Sequence, residues 1–363
     1  MIVDIIAGAR PNFVKVASII HAFLMQSESV KNFSYRLVHT GQHYDDQMSS
    51  DFFRQLDIPK PDVNFEVGSG THSEQTAKIM TSYERLLIKR KSDLCLVVGD
   101  VNSTVACALT AKKCGLPVAH VEAGIRSYDW SMPEEINRVV TDSISDYFFT
   151  TSRNAGRNLT NAGVSEEKIY FVGNTMIDTL LRNINYLRPP DFWEHFNLSE
   201  RNFFILTVHR PANVDSLESF QYLLKNIEEN CGEFPVVFPV HPRTAKVLKG
   251  SIHTYSNIKL VAPQPYLEFN YLVKHAAGVI TDSGGITEEA TALGVPCMTL
   301  RDTTERPETV DVGSNEIIGT RPESVKKYLE KVRSGIWKKS AVPELWDGRA
   351  GERIVKILRD KFI

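Results

Sequence analysis

The chain has 363 residues, 24% charged and 42% hydrophobic, the balance of an ordinary soluble globular protein and long enough for two domains. Its net charge of −2 gives no electrostatic case for nucleic acid or an anionic membrane surface as partner, so any anion it binds needs a local site. No apolar stretch approaches the ~18 residues of a membrane span, and Asp4 interrupts the first apolar run, so no leader is expected.

The first run, "MIVDIIA", reads as a strand, and "GARPNFVK" at residues 8–15 follows it. Gly8 permits a tight turn, Pro11 suits a first helical position, and Arg10 and Lys15 can meet an anion near that helix's N-terminus. A plain strand-to-helix turn with solvated bases is the alternative. The next strand, "YRLVHT", runs into "HTGQH". His39 and His43 stand at i,i+4 there but span a strand end and a loop, so no metal site is expected. "GSGTHS" (68–73) has a serine where GxGxxG needs its third glycine and reads as a loop before the helical spacing of 73–90. "LCLVVG", a helical segment at 102–114, "PVAHVE", "YFFTT" and "IYFVG" complete the first half. Such alternation implies βαβ units and a parallel sheet.

After a proline-containing stretch around 188–190 the pattern restarts with "FFILTV", "PVVFPV", "IKLV", "GVITD", "PCMTL" and "EIIG". Two doubly wound halves of similar size follow from this. "DGRAGERIVKILRDKF" reads as an amphipathic helix with Ile354, Ile357 and Leu358 on one face. The five cysteines, Cys95, Cys107, Cys114, Cys231 and Cys297, form no CxxC pair and are expected as buried free thiols in a reducing compartment. GxSxG, HExxH and GxxxxGK[ST] are absent, against hydrolase, zincin and P-loop chemistry.

Polar residues gather where these strands should end: Gly99-Asp100, Glu122, His209-Arg210, His241 and Asp282-Ser283. Open α/β sheets bind ligands beyond the carboxyl ends of their strands, and two sheets facing each other would bring all these groups to one cleft. "DSGGITEE" (282–289) carries the features of a phosphate cradle. Gly284 and Gly285 allow close backbone approach, and free helix N–H groups favour negative charge. Glu289, about one and a half turns in, suits sugar hydroxyls better than phosphate. Ser283 as a plain N-cap with a solvated Glu289 is the alternative. Asp100, Glu122, Glu134 and Glu135, with His209, can supply acid–base chemistry. Glu134 and Glu135 can equally be first-turn helix charges after Pro133, and as neighbours they point different ways, so at most one faces a site.

"GARPNFVK", "HTGQHYD", "GDVNST", "HVEAGIRS", "MPEEINR", "TVHRPAN", "PVHPRT", "DSGGITEEA" and "RDTTERPE" occur in that order. Together they resemble the non-hydrolysing UDP-N-acetylglucosamine 2-epimerases over essentially the whole chain, the last two being the most specific. The resemblance implies the GT-B arrangement, α/β, of two Rossmann-like domains with an interdomain cleft and a C-terminal helix crossing back. It places an N-terminal domain at 1–172, a UDP-binding domain at 173–345 and the returning helix at 346–363. By the same resemblance Arg10 and Lys15 line the nucleotide-sugar cleft, and His241, Phe269, Ser283, Gly284, Gly285 and Glu289 hold UDP, with Phe269 near the uracil. Arg306 joins them as loop-closure or phosphate-contact material. Asp100, Glu122, Glu134 and His209 match the catalytic positions. The implied reaction is C2 epimerisation of UDP-N-acetylglucosamine to UDP-N-acetylmannosamine by elimination of UDP and its re-addition. No cofactor or metal is needed. A cytoplasmic homodimer feeding cell-surface polysaccharide synthesis is further implied.

The short stretch "IRSYDWSM" between "HVEAG" and "PEE" also resembles epimerases of UDP-2,3-diacetamido-2,3-dideoxyglucuronate, which leaves the substituents at C3 and C6 open. A GT-B glycosyltransferase would share fold and nucleotide site but would need an acceptor cleft. A non-catalytic nucleotide-sugar sensor would not need four intact catalytic positions.

Overall fold

A computed structural model describes residues 1–27, 32–41, 53–214, 216–240, 248 and 255–363. The chain divides into two compact units, Met1–Arg182 together with Glu344–Ile363, and Asn183–Pro343. Among the described residues each unit is built on one parallel sheet with helices between most successive strands.

In the first unit the strands are β1 (Ile2–Ala7), β2 (Ser34–His39), β3 (Val63–Asn64), β4 (Leu94–Val98), β5 (Val118–Val121), β6 (Tyr147–Thr150) and β7 (Ile169–Phe171). Their spatial order is β3-β2-β1-β4-β5-β6-β7. Every residue of β4 and of β5 is buried, because central parallel strands are covered on both faces and read as unbroken apolar runs. β3 was not anticipated: a two-residue edge strand is too short to carry a hydrophobic pattern. Asp4, the polar break in the first run, is fully buried. It takes Arg36 Nε and Nη2 at 2.7 Å each, with Tyr83 and Ser92 hydroxyls at 2.9 and 2.8 Å, so the charge is matched and its lone pairs are used. "GSGTHS" is a loop as far as Thr71, which then caps the helix His72–Lys89 in a reciprocal box with Glu74.

The last helix, Ala350–Phe362, buries Ala350, Gly351, Ile354, Val355 and Leu358. Val355 takes the core place expected of Ile357, which is only half-buried. This helix packs on the helix Arg10–Ser27, where a Cβ on Gly351 would lie 2.6 Å from the Ser18 carbonyl oxygen; only glycine allows that approach. Its N-terminus is capped from another helix, since Asp178 Oδ2 accepts the Gly351 N–H at 2.7 Å. Burial pushes the Asp178 carboxyl up to about 6. Cys95, Cys107, Cys231 and Cys297 are buried free thiols, but Cys114 is exposed, correcting the sequence expectation. It forms the C-cap of the helix Asn102–Lys113, just before a left-handed Gly115, where the chain turns at the surface.

In the second unit the strands are β8 (Phe204–Thr207), β9 (Val236–Pro239), β10 (Ile258–Val261), β11 (Gly278–Thr281), β12 (Cys297–Thr299) and β13 (Asn315–Ile317), in the order β10-β9-β8-β11-β12-β13. Alternate residues of β8 feed two cores. Phe204 and Leu206 pack with Phe220, Leu224 and Ile227, while Phe203, just before the strand, and Ile205 pack with Leu272 and Val273 on the other face. No helix among the described residues is long and apolar enough to cross a membrane.

Both sheets reverse their winding once, between β1 and β4 in the first unit and between β8 and β11 in the second. At such switch points the loops beyond the two strands diverge and leave a crevice.

Candidate active site

In the first unit the switch point is bounded by the turns after β1, β4 and β5. Asn12 folds back over the first, its Oδ1 accepting the Gly8 and Ala9 N–H groups at 3.3 and 3.1 Å while its Nδ2 donates to the Val98 carbonyl at 3.0 Å. That ties the ends of β1 and β4 together. Lys15, one turn further along the helix, points inward and pairs with Glu122 Oε2 at 2.7 Å, both side chains being buried. Glu122 is a non-glycine residue at φ +69°, held there by its N–H on the Phe149 carbonyl at 3.0 Å. Strain of this kind persists only where neighbours enforce it, and it gathers at functional sites. Gly99 turns at φ +70°, and a Cβ there would come 3.3 Å from Lys15 Nζ.

Asp100 follows, with a side chain 29% exposed and Arg138 Nη1 at 2.5 Å from its Oδ2. Asn137 Nδ2 donates to the Asp100 carbonyl at 2.8 Å. Both clamps come from the helix Pro133–Ile144. The two glutamates at its start part company. Glu135 is buried, accepting the Ser127 and Tyr128 N–H groups at 2.9 and 3.0 Å and Arg138 Nη2 at 2.7 Å. Burial raises the Glu135 carboxyl, but these donors outweigh it and hold the group below the usual range. Glu134 is half-buried, and its carboxylate makes no hydrogen bond or ion pair among the described residues. Arg10 begins the helix Arg10–Ser27.

In the second unit the switch point is organised by Asp282, fully buried after β11. Its carboxylate accepts the His209 and Arg210 N–H groups at 3.0 and 2.9 Å and Asn213 Nδ2 at 2.9 Å, and His209 Nδ1 lies 3.0 Å away. Burial raises the Asp282 carboxyl, but His209 and the other donors outweigh it and leave it lowered. With Nδ1 on the carboxylate, Nε2 is the ring nitrogen left uncommitted to Asp282, on a side chain 52% exposed. Ser283 is the N-cap of the helix Gly284–Ala292, yet its hydroxyl makes no capping bond, so the plain-cap alternative does not describe it. Ser283, Gly284 and Gly285 are half-buried, and no acid stands in that helix's first turn.

Glu289 is buried, not solvated; burial pushes its carboxyl up to about 7, against hydrogen bonds from Asn270 and Tyr266. Asn270 Nδ2 lies 3.3 Å from Glu289 Oε1 on the helix Tyr266–His275, which also carries a half-buried Phe269. Arg306 is buried with its Nε 3.0 Å from Glu288 Oε1, tying its loop to the Gly284–Ala292 helix. Glu305 beside it opposes Gly284, where a Cβ would lie 2.5 Å from Glu305 Oε1. Burial raises that carboxyl, but Arg301, 2.7 Å away, and Arg306 pull it down to about 2. His241 lies outside the described residues.

The described groups gathered at strand ends in the sequence thus occupy the two switch points, Asp100 and Glu122 at one, where Lys15 joins them from the helix Arg10–Ser27, and His209, Asp282 and Ser283 at the other. Sequence reasoning missed Asp282 as the organiser of the second turn, and Arg138 and Asn137 as the clamps on Asp100. An i,i+3 Glu–Arg spacing in "EEINR" was a signal for Arg138.

Comparison with known proteins agrees across the whole length. The family model for UDP-N-acetylglucosamine 2-epimerase matches residues 25–359. The UDP-N-acetylglucosamine 2-epimerase of Methanocaldococcus jannaschii is 42% identical, with 99% of each chain covered. Its crystal structure in complex with UDP-GlcNAc and UDP superposes with a TM-score of 0.88, covering 99% of this chain and 100% of that one. The UDP-2,3-diacetamido-2,3-dideoxy-D-glucuronate 2-epimerase of Pseudomonas aeruginosa is 39% identical over 92% of each chain. The lipopolysaccharide outer core galactosyltransferase WaaB, at 14% identity, a TM-score of 0.56 and 100% coverage of both chains, shares the fold alone. Two parallel sheets, each with its polar residues at the point of reversal, and a match from one end of the chain to the other place this protein in the UDP-N-acetylglucosamine 2-epimerase family.

Proposed function

We propose that the protein interconverts UDP-N-acetylglucosamine and UDP-N-acetylmannosamine. The observation that carries this reading is the full-length likeness to a relative whose crystal structure contains UDP-GlcNAc and UDP. The second unit supplies the nucleotide end: the amide groups opening the Gly284–Ala292 helix and the uncommitted Ser283 hydroxyl suit a diphosphate, Glu289 the ribose hydroxyls and Phe269 the base. Arg10, His241 and Arg306 keep the contact roles implied by resemblance.

The proton at C2 has no adjacent carbonyl to acidify it. Breaking the C1–O bond sends the electron pair out with UDP and makes C1 oxocarbenium-like, after which a base takes the C2 proton and the C1–C2 double bond of 2-acetamidoglucal forms. Reversal puts a proton on the opposite face of C2 and the UDP oxygen back on C1. No redox step occurs. Two acid–base groups are required, one for each face. Asp100, held by Arg138, and Glu134 are the carboxylates we assign to proton transfer. Glu122 is engaged by Lys15, so we assign that pair to shaping charge around the sugar. His209, with its Nε2 outward, completes the set.

Within the same reading the enzyme is a cytoplasmic homodimer whose product feeds cell-surface polysaccharide synthesis; light scattering at twice the chain mass tests the dimer. Incubation with UDP-N-acetylglucosamine in deuterated water tests the chemistry. Deuterium should enter C2 of both sugars by NMR. Exchange only with UDP-2,3-diacetamido-2,3-dideoxyglucuronate would move the substrate, and exchange with neither would overturn the reading.

A further inference from the structure

His120 lies in β5, two residues before Glu122, and is fully buried. Its Nδ1 is 2.7 Å from Asp142 Oδ1 and its Nε2 is 2.9 Å from the Gly99 carbonyl oxygen. Each of those oxygens can only accept. A neutral ring has one proton and can serve one of them; a ring with both protons serves both. Asp142 is itself buried, and takes Arg126 Nη1 at 2.6 Å and the Gly124 N–H at 3.0 Å. A buried carboxylate with a guanidinium on one side is well placed to hold a cationic ring on the other.

Resting on the epimerase reading, we infer that the Arg126–Asp142–His120 chain is a positioning device for Asp100, in which a doubly protonated His120 ring clamps the Gly99 carbonyl. The peptide plane so fixed is the one from which Asp100 departs. Gly99 needs such a clamp, because a glycine at φ +70° has little intrinsic preference for where its carbonyl points. The remaining ties agree. The Gly99 N–H is held by the Val121 carbonyl at 3.0 Å, the Asp100 carbonyl by Asn137 and its carboxylate by Arg138. Asp142, Arg138, Asn137 and Glu134 all stand on the helix Pro133–Ile144, so one rigid element sets both assigned carboxylates. His120 touches no reacting atom; it acts through Gly99.

Two measurements test this. In protein labelled with 15N-histidine at neutral pH, both His120 ring nitrogens should show bonded protons, the pair being assigned by its loss in His120→Gln. Asp142→Asn should remove one of the two. In C2-exchange kinetics, His120→Gln and Asp142→Asn should each lower kcat roughly 10²-fold, the loss expected when a reacting group shifts by about an ångström. KM and UDP affinity should stay within twofold, and the double variant should be no worse than the weaker single. A wild-type ring with one proton would sink the clamp with the epimerase reading intact, and needs no variant to fold. Additive losses, or KM rising with the fall in kcat, would make the chain structural only. Wild-type protein inert in deuterated water would sink the epimerase reading and the catalytic half of this inference together.

Discussion

The two switch points share a topology and differ in how their charges are used. In the first unit three of the four acids are matched at close range, Glu122 by Lys15 and both Asp100 and Glu135 by Arg138. In the second, Asp282 is consumed by its own turn, and the helix that follows opens with glycines and no first-turn acid, whereas the helix Pro133–Ile144 opens with two. A network of paired charges fixes those three carboxylates in place. A helix N-terminus that opens with glycines and no acid of its own favours an anion, and Glu305 already lies against Gly284 there. On the proposed reading the assigned proton-transfer carboxylates stand in the first unit and the nucleotide grip in the second, with His209 the catalytic group on the second side.

The sharpest way to break that division is to neutralise the acids of the first unit. Asp100→Asn or Glu134→Gln should cost ~10²–10⁴ in C2 exchange rate with UDP affinity unchanged by calorimetry. Activity within twofold of wild type would remove that residue from the mechanism. The reciprocal changes belong to the second unit. Ser283→Ala and Glu289→Ala should weaken UDP binding by roughly 10- to 100-fold each, the range for losing a hydrogen bond to a charged group. Unaltered affinity in both would refute the grip.

A smaller effect concerns pH. Ribose hydroxyls donate to an ionised carboxylate, and burial has pushed Glu289 up to about 7, so UDP binding must expel a proton below that pH. Affinity should tighten as pH rises from 6 to 7, by at most about tenfold per unit, and level off above. Glu289→Gln should abolish that slope in titration calorimetry. The smallest effect is a control on a group outside the assigned site. Asp178, raised from 3.8 to about 6, holds more protons folded than unfolded in that interval, so its contribution is complete below 3.8 and lost as pH rises through about 6. Asp178→Asn should flatten the pH dependence of the denaturation midpoint over that window, and an unchanged slope would remove Asp178 as its source.

Much of this was legible because strands buried on both faces announce themselves. Each run from "MIVDIIA" to "EIIG" contains a strand, and the helices at 73–90 and 102–114 begin within a residue of where spacing puts them. What stayed hidden was pairing. That Lys15 turns to Glu122, 107 positions away, or that Asp282 accepts from His209, 73 away, is decided by which strands are neighbours, and strand order leaves no mark on local pattern. Glu134 and Glu135 show the same limit on one helix. Their divergence was foreseeable from geometry, but which one is buried depended on the Ser127–Tyr128 turn.

The first unit is discontinuous: the chain leaves it at Arg182 and returns at Glu344. Its helix Arg10–Ser27 meets its packing partner only when Gly351 and the rest of the final helix have been made. During synthesis, at roughly 5–20 residues per second, the second unit is therefore complete in sequence before the first. The nascent chain carries an uncovered face on its earliest helix for most of translation. The part synthesised first is finished last, and a chain truncated after residue 345 would contain all of the second unit and a first unit still open.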